Sequence, residues 1–211
     1  MLDAVRQSPL IPLFNHPDPL YAQQAVQACY DGGLRIFEFT NRGPEAFDVF
    51  SSVSEYAKAH CPGLLLGIGT IYTAADTYRF AGAGADFIIQ PVTTAEVAEA
   101  CKDLGIPWIP GAMTLTEIWN AWQMGATCVK IFPGQVLGAG FVKALRGPMP
   151  QVPLMATGGV EPTEASLREW FGAGVQAVGL GSQLFKQDFT GQFELLRDKV
   201  AELLGYARGL L

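Results

Sequence analysis

Apolar runs of β type alternate with amphipathic helical runs from one end of this 211-residue chain to the other, and eight such pairs can be counted. That regularity constrains the fold more than any motif does. Strands separated by helices run parallel, and a parallel sheet needs helices covering its faces. Strands are expected over 10–14, 35–40, 64–67, 87–90, 108–109, 128–132, 154–156 and 177–179. Helices are expected over 19–31, 44–60, 74–83, 94–104, 115–124, 139–145, 163–173 and 192–206, with an additional N-terminal turn over 1–7. Thr94-Ala95-Glu96 and Thr114-Leu115-Thr116-Glu117 carry helix-cap signals. Gly82-Ala83-Gly84-Ala85-Asp86, Gly125-Ala126 and Gly172-Ala173-Gly174-Val175 each close a helix just before a strand, as one αβ turn reused around a ring would. The pattern predicts a single (β/α)8 TIM barrel of the α/β class, at the short end of the size range, with a doubly wound open sheet as the alternative. No composition break or linker interrupts it, so residues 1–211 read as one domain.

Composition narrows the function classes. Hydrophobic residues make up 49%, ample for a core, and disorder is not expected. A net charge of -6 with no Lys/Arg run argues against a nucleic-acid partner. Cys29, Cys61, Cys101 and Cys128 lack metal-type spacing and read as reduced thiols of a cytoplasmic protein. His16 and His60 are too few for a three-imidazole zinc site, so neither a metal nor another cofactor is expected. His60 reads as a solvated helix-end residue, and His16 as a turn residue, with a pocket-facing position after the first strand as the alternative. No signal peptide or run of transmembrane length is present, so no membrane association is expected.

One strand carries an anomaly. In Cys128-Val129-Lys130-Ile131-Phe132 the period of two puts Cys128, Lys130 and Phe132 on one face and Val129 and Ile131 on the other. Burying an ammonium costs several kcal/mol, so Lys130 requires a depressed pKa or a carboxylate partner. A neutral amine attacks carbonyls, which makes Lys130 a Schiff-base candidate; the alternative is a strand-end lysine that reaches solvent. Glu38, in Phe37-Glu38-Phe39-Thr40-Asn41-Arg42, is a carboxylate in an otherwise apolar strand. It could pair with Lys130 and shuttle protons, or form an ion pair with Arg42 that holds the loop. In Gly67-Ile68-Gly69-Thr70 the glycines allow close approach of a ligand, and the Thr70 hydroxyl could bond a carboxylate or carbonyl. Thr157-Gly158-Gly159-Val160 and Gly179-Leu180-Gly181-Ser182 end the last two strands, where barrels build anion sites from backbone N–H groups; tight turns are the plainer reading.

Together with Val129-Lys130-Ile131-Phe132-Pro133, these motifs are collinear over roughly residues 8–186. In that order they resemble the 2-keto-3-deoxy-6-phosphogluconate (KDPG) and 4-hydroxy-2-oxoglutarate (KHG) aldolases. The resemblance implies a metal-free class I aldolase on a (β/α)8 barrel, assembled as a homotrimer. Its small-molecule substrates would be pyruvate, an aldehyde and the keto-deoxy sugar acid made from them. It makes Lys130 the Schiff-base lysine, Glu38 the acid/base, and Arg42 with Thr70 the contacts to the pyruvate carboxylate. Thr157, Gly158, Gly159, Gly181 and Ser182 fall on loops that hold the far end of the substrate. Three positions depart from the common pattern: Ala156 replaces a proline, Gln90-Pro91-Val92 replaces Ser-Pro-Gly, and Asn15-His16 stands where some relatives place a phosphate-binding arginine.

Two rival functions are compatible with parts of the pattern. A phosphosugar isomerase or epimerase would use the glycine loops and Glu38 without a covalent step. A non-catalytic sensor would bind keto acids or phosphates and form no adduct with pyruvate.

Overall fold

The computed structural model describes residues 1–210, without the side chains of Leu2 and Asp3, so the expected domain limit at Leu211 lies outside the described residues. After α1 (Leu2–Gln7), strand and helix alternate: β1 (Leu10–Phe14), α2 (Pro19–Asp31), β2 (Ile36–Thr40), α3 (Ala46–His60), β3 (Leu65–Gly69), α4 (Ala74–Gly82), β4 (Ile88–Ile89) and α5 (Ala95–Leu104). The second half continues with β5 (Trp108–Ile109), β6 (Gly111–Ala112), α6 (Leu115–Gln123), β7 (Val129–Ile131), α7 (Gly134–Leu145), β8 (Leu154–Thr157), α8 (Glu164–Ala173), β9 (Ala177–Leu180) and α9 (Phe193–Arg208). All pairings are parallel, in the order β5-β4-β3-β2-β1-β9-β8-β7-β6. Because only Pro110 separates β5 from β6, the two ends of that order meet and the sheet closes as a barrel with eight strand positions.

The fifth strand is split for a local reason. Proline has no N–H to give to the ladder, so Pro110 divides the strand, yet its carbonyl still accepts the Lys130 N–H at 2.8 Å. The third strand runs to Gly69, two residues past the end expected from its glycines. Glycine weakens a strand unless close packing demands it, and here it does. A Cβ on Gly67 would fall on the Phe87 ring, and one on Gly69 on the Glu38 carboxylate. The helix expected over 139–145 is preceded by one further turn, because Gly138 (φ 71°, ψ 165°) interrupts α7.

Two apolar layers result. The larger lies between sheet and helices and takes Phe37, Phe39, Val129 and Ile131; the smaller fills the barrel with Ile11, Ile36, Phe87, Ile109, Cys128 and Met155. Val5 of α1 joins the inner layer, so the expected N-terminal turn is a helix that plugs the amino end of the barrel. Alternation along β2 and β7 therefore carries Glu38 and Lys130 inward, one layer above Ile36 and Cys128. In the ring, β2 and β7 stand four positions apart, so the two side chains project from opposite walls.

Candidate active site

Lys130 is 5% exposed and Glu38 1% exposed, at the centre of a barrel otherwise packed with apolar side chains. Burial drives the Lys130 amine below its ordinary pKa, and the nearby positive charge of Arg42 adds to that, while Glu38 works against it. Burial likewise pushes the Glu38 carboxyl up, with Lys130 and Arg42 opposing. Both directions follow from desolvation outweighing mutual attraction, so the neutral forms gain at each site. No ion pair joins Glu38 to Lys130 or to Arg42 among the described residues, and Glu38 Oε2 is buried without a hydrogen-bond partner. The loop-holding Glu38–Arg42 pair is therefore not formed, and Lys130 does not reach solvent. With each neutral form favoured by burial, an amine and a carboxyl close enough to perturb one another can supply a nucleophile and a proton donor in one buried space.

The side chains one layer further along the same strands are Thr40 and Phe132. The Lys130 Nζ lies 4.9 Å from the centre of the Phe132 ring, and Thr40 directs its hydroxyl to Asn15 Oδ1 at 3.3 Å and to the Phe14 carbonyl at 3.4 Å. Both residues line a cavity of about 990 Å³ at the carboxyl ends of the strands. This is the end at which barrels carry their sites. Of the residues singled out in the sequence, Arg42, Thr157, Gly158, Gly159, Gly181 and Ser182 line the cavity wall. Lys130 and Glu38 lie under its floor. Thr70 is outside the wall, at the end of β3 next to Gly69, and holds a left-handed φ of 64°. A non-glycine residue there stores roughly 1–3 kcal/mol, a cost concentrated at functional sites.

The glycine loop after β8 is shaped by α7. Gly158 (φ 87°) and Gly159 (φ 76°) need the left-handed region, and a Cβ on either would collide with Gln135. Gln135 reaches the cavity, as do Gln183 and Lys186 beyond β9. The sequence does not single out these three, because polar residues in a loop (Gln183, Lys186) or in the first turn of a helix (Gln135) carry no pattern; the one available signal is the position of Gln135 directly after Pro133-Gly134. Thr157 Oγ1 and Gln183 Oε1 are buried without partners on the same wall. An unsatisfied buried polar atom costs about 1–3 kcal/mol, which a ligand would relieve. Among the described residues no group of three or more His, Cys, Asp or Glu is arranged to hold a metal. His16 lines the cavity and stacks on Tyr21 with ring centres 4.2 Å apart, whereas His60 is the exposed last residue of α3.

Fold and site together define a (β/α)8-barrel enzyme whose cavity opens at the carboxyl ends of its strands. The family model "KDPG and KHG aldolase" matches residues 1–197. The 2-dehydro-3-deoxy-phosphogluconate aldolase of Pseudoalteromonas atlantica is 32% identical over 162 residues, 76% of this chain and 74% of that one. The 2-dehydro-3-deoxy-6-phosphogalactonate aldolase of Escherichia coli K12 is 31% identical over 179 residues, 84% of this chain and 85% of that one. Among solved structures, the KDPG aldolase of Legionella pneumophila, with pyruvate captured at low pH as a covalent carbinolamine intermediate, matches with a TM-score of 0.86 at 27% identity over 96% of this chain and 97% of that one. The chain belongs to the KDPG and KHG aldolase family and is a pyruvate-dependent aldolase. That sets aside the isomerase and sensor alternatives.

Proposed function

We propose that this chain reversibly cleaves a 2-keto-3-deoxy-6-phospho sugar acid, KDPG foremost, to pyruvate and glyceraldehyde 3-phosphate, and that it accepts 4-hydroxy-2-oxoglutarate more slowly. The observation that carries this reading is the buried pair: Lys130 with a lowered pKa opposite Glu38 with a raised one, beneath a cavity open to solvent. Lys130 Nζ attacks the C2 carbonyl, and Glu38 supplies the proton with which the carbinolamine oxygen leaves as water. The resulting iminium takes up the electrons of the breaking C3–C4 bond while Glu38, now a carboxylate, removes the C4 hydroxyl proton. The aldehyde departs, Glu38 returns the proton to C3 of the enamine, and hydrolysis of the iminium frees pyruvate and Lys130. Arg42 and Thr70 hold the pyruvate carboxylate, Arg42 as a bidentate donor. Thr157, Gly158, Gly159, Gly181 and Ser182 hold the distal end.

A second substrate reading has its own support. A relative named for the 6-phosphogalactonate compound aligns over 84% of this chain, so the epimeric 2-keto-3-deoxy-6-phosphogalactonate is the competing sugar acid. Residues 1–211 act as one catalytic domain in the cytoplasm; the four cysteines are free and buried, as a reducing compartment allows. Among the described residues no helix is long and apolar enough to cross a membrane. The working assembly is a homotrimer. Tyr72, Val92, Met113, Leu115 and Trp119 are exposed beside the ends of three neighbouring strand positions and suit burial against a second copy.

Borohydride reduction in the presence of pyruvate, followed by peptide mass mapping, tests the chemistry. One adduct per chain is expected, on Lys130. An adduct on Lys58, Lys102, Lys143, Lys186 or Lys199 instead would overturn the assignment.

A further inference from the structure

Among the described residues, two Lys or Arg side chains reach the cavity wall, at different places in the ring: Arg42 beyond β2 and Lys186 beyond β9. Arg42 acts electrostatically on both Glu38 and Lys130, which places its charge at the reacting end. Lys186 follows Ser182 by four residues, on the side of the glycine loops. We propose that Lys186 is the specificity-determining cation of the distal subsite: it neutralises the terminal phosphate of the substrate and selects phosphorylated over unphosphorylated keto-deoxy acids. The inference rests on the aldolase reading above and deepens it.

The segment carrying Lys186 is tied down on both sides. The Leu184 N–H donates to the Gly181 carbonyl at 2.9 Å, and the Phe185 ring packs on Phe14 with centres 4.7 Å apart. On the far side the Phe189 N–H donates to the Tyr21 hydroxyl at 3.0 Å. Lys186 thus projects from a short span anchored at residues 185 and 189, and no ion pair joins it among the described residues.

The other polar groups at this end carry less positive charge or are already bonded at one atom. Asn15 Oδ1 accepts from Thr40, and His16, stacked on Tyr21, uses Nδ1 to accept the Asp18 N–H at 3.1 Å. Asp188, the nearest acidic neighbour in sequence, accepts from the Thr190 N–H at 2.9 Å and the Thr190 hydroxyl at 2.7 Å, which lowers its pKa and occupies it within its own turn. Backbone N–H groups at Gly158, Gly159 and Gly181 can shape an anion cradle but carry no net charge. A dianionic phosphate therefore draws its counter-charge from Lys186.

The test compares KDPG with unphosphorylated 2-keto-3-deoxygluconate for the wild type, Lys186→Gln and Lys186→Arg. The wild type should prefer the phosphorylated acid by ~10²-fold or more in kcat/KM. Lys186→Gln should lower that preference by about tenfold or more, chiefly through KM for KDPG, and Lys186→Arg should restore most of it. Inhibition by inorganic phosphate should weaken in parallel, and pyruvate trapping on Lys130 in each variant reports that the site is intact. A wild-type preference that Lys186→Gln leaves in place would overturn the role of Lys186 while the phosphate reading stands. A wild type with no preference would overturn both, leaving the aldolase chemistry to the borohydride result.

Discussion

Glu38 performs three proton transfers in the proposed cycle, and its environment suits each of them. Burial raises its pKa and favours the protonated form, while Lys130 and Arg42 nearby favour the carboxylate that forms once the proton is given away. Replacing the carboxyl with an amide of the same shape removes the transfers and keeps the packing. Glu38→Gln should therefore slow turnover by roughly two to four orders of magnitude, the size of a positioned acid/base contribution. Pyruvate should still bind, and its borohydride-trapped adduct on Lys130, read by mass, should form at a lower rate because Glu38 also serves the dehydration that yields the iminium. A near-normal steady-state rate would reduce Glu38 to a packing residue. The burial of Glu38 and Lys130 was legible in the sequence as two charged residues in apolar strands, since only a buried position explains such neighbours. Gln135, in the first turn of α7, and Lys186, in the loop after β9, were not legible, because nothing local distinguishes a polar side chain that faces a cavity from one that faces solvent.

Strand β3 shows how an element serves the site by lacking side chains. The Glu38 carboxylate occupies the space where a Cβ on Gly69 would stand. Gly69→Ala must displace either the carboxyl or the strand; overpacking of this kind costs about 1–3 kcal/mol. Urea denaturation should show that loss together with a fall in kcat, because the displaced group is the proposed acid/base. Gly82→Ala is the control, since nothing lies within 4 Å of a Cβ there. Wild-type kcat in Gly69→Ala would mean that the observed position of Glu38 is not the working one. Helix caps teach a related lesson at this scale. Thr114 and Glu117 form the expected capping box, whereas Thr94, at the start of α5, makes no side-chain cap bond. Its hydroxyl accepts instead from Gln90 Nε2 at 3.1 Å, and Gln90 Oε1 accepts the Trp108 indole N–H at 2.8 Å. A buried amide with few possible partners outcompeted the local cap, and that competition is invisible in a four-residue window.

For the molecule as a whole, the apolar groups left outside the two cores point to assembly. Leu115 and Trp119 lie one turn apart on α6, 47% and 44% exposed, with Met113 just before the helix. Three copies joined through this region would remove them from water, at about 25 cal/mol per Å² of apolar surface. Sedimentation equilibrium should give three times the chain mass for the wild type, and Trp119→Glu, which would put a charge into that contact, should shift the population toward monomer. A wild type that sediments as a monomer at micromolar concentration would dismiss the trimer.

The alternation of strand and helix, the sharing of one face by Cys128, Lys130 and Phe132, and the placement of glycine loops at the last two strand ends were written in the sequence. Each depends on periodicity or on backbone freedom, which are properties of neighbours along the chain. Tertiary structure decided the rest. Ring closure across Pro110 brings β5 and β6 together and places β2 opposite β7, so that a carboxyl and an amine 92 positions apart in sequence share one buried interior. That shared burial makes desolvation outweigh attraction and moves both pKa values toward their neutral forms. Neither residue acquires that chemistry from its own strand.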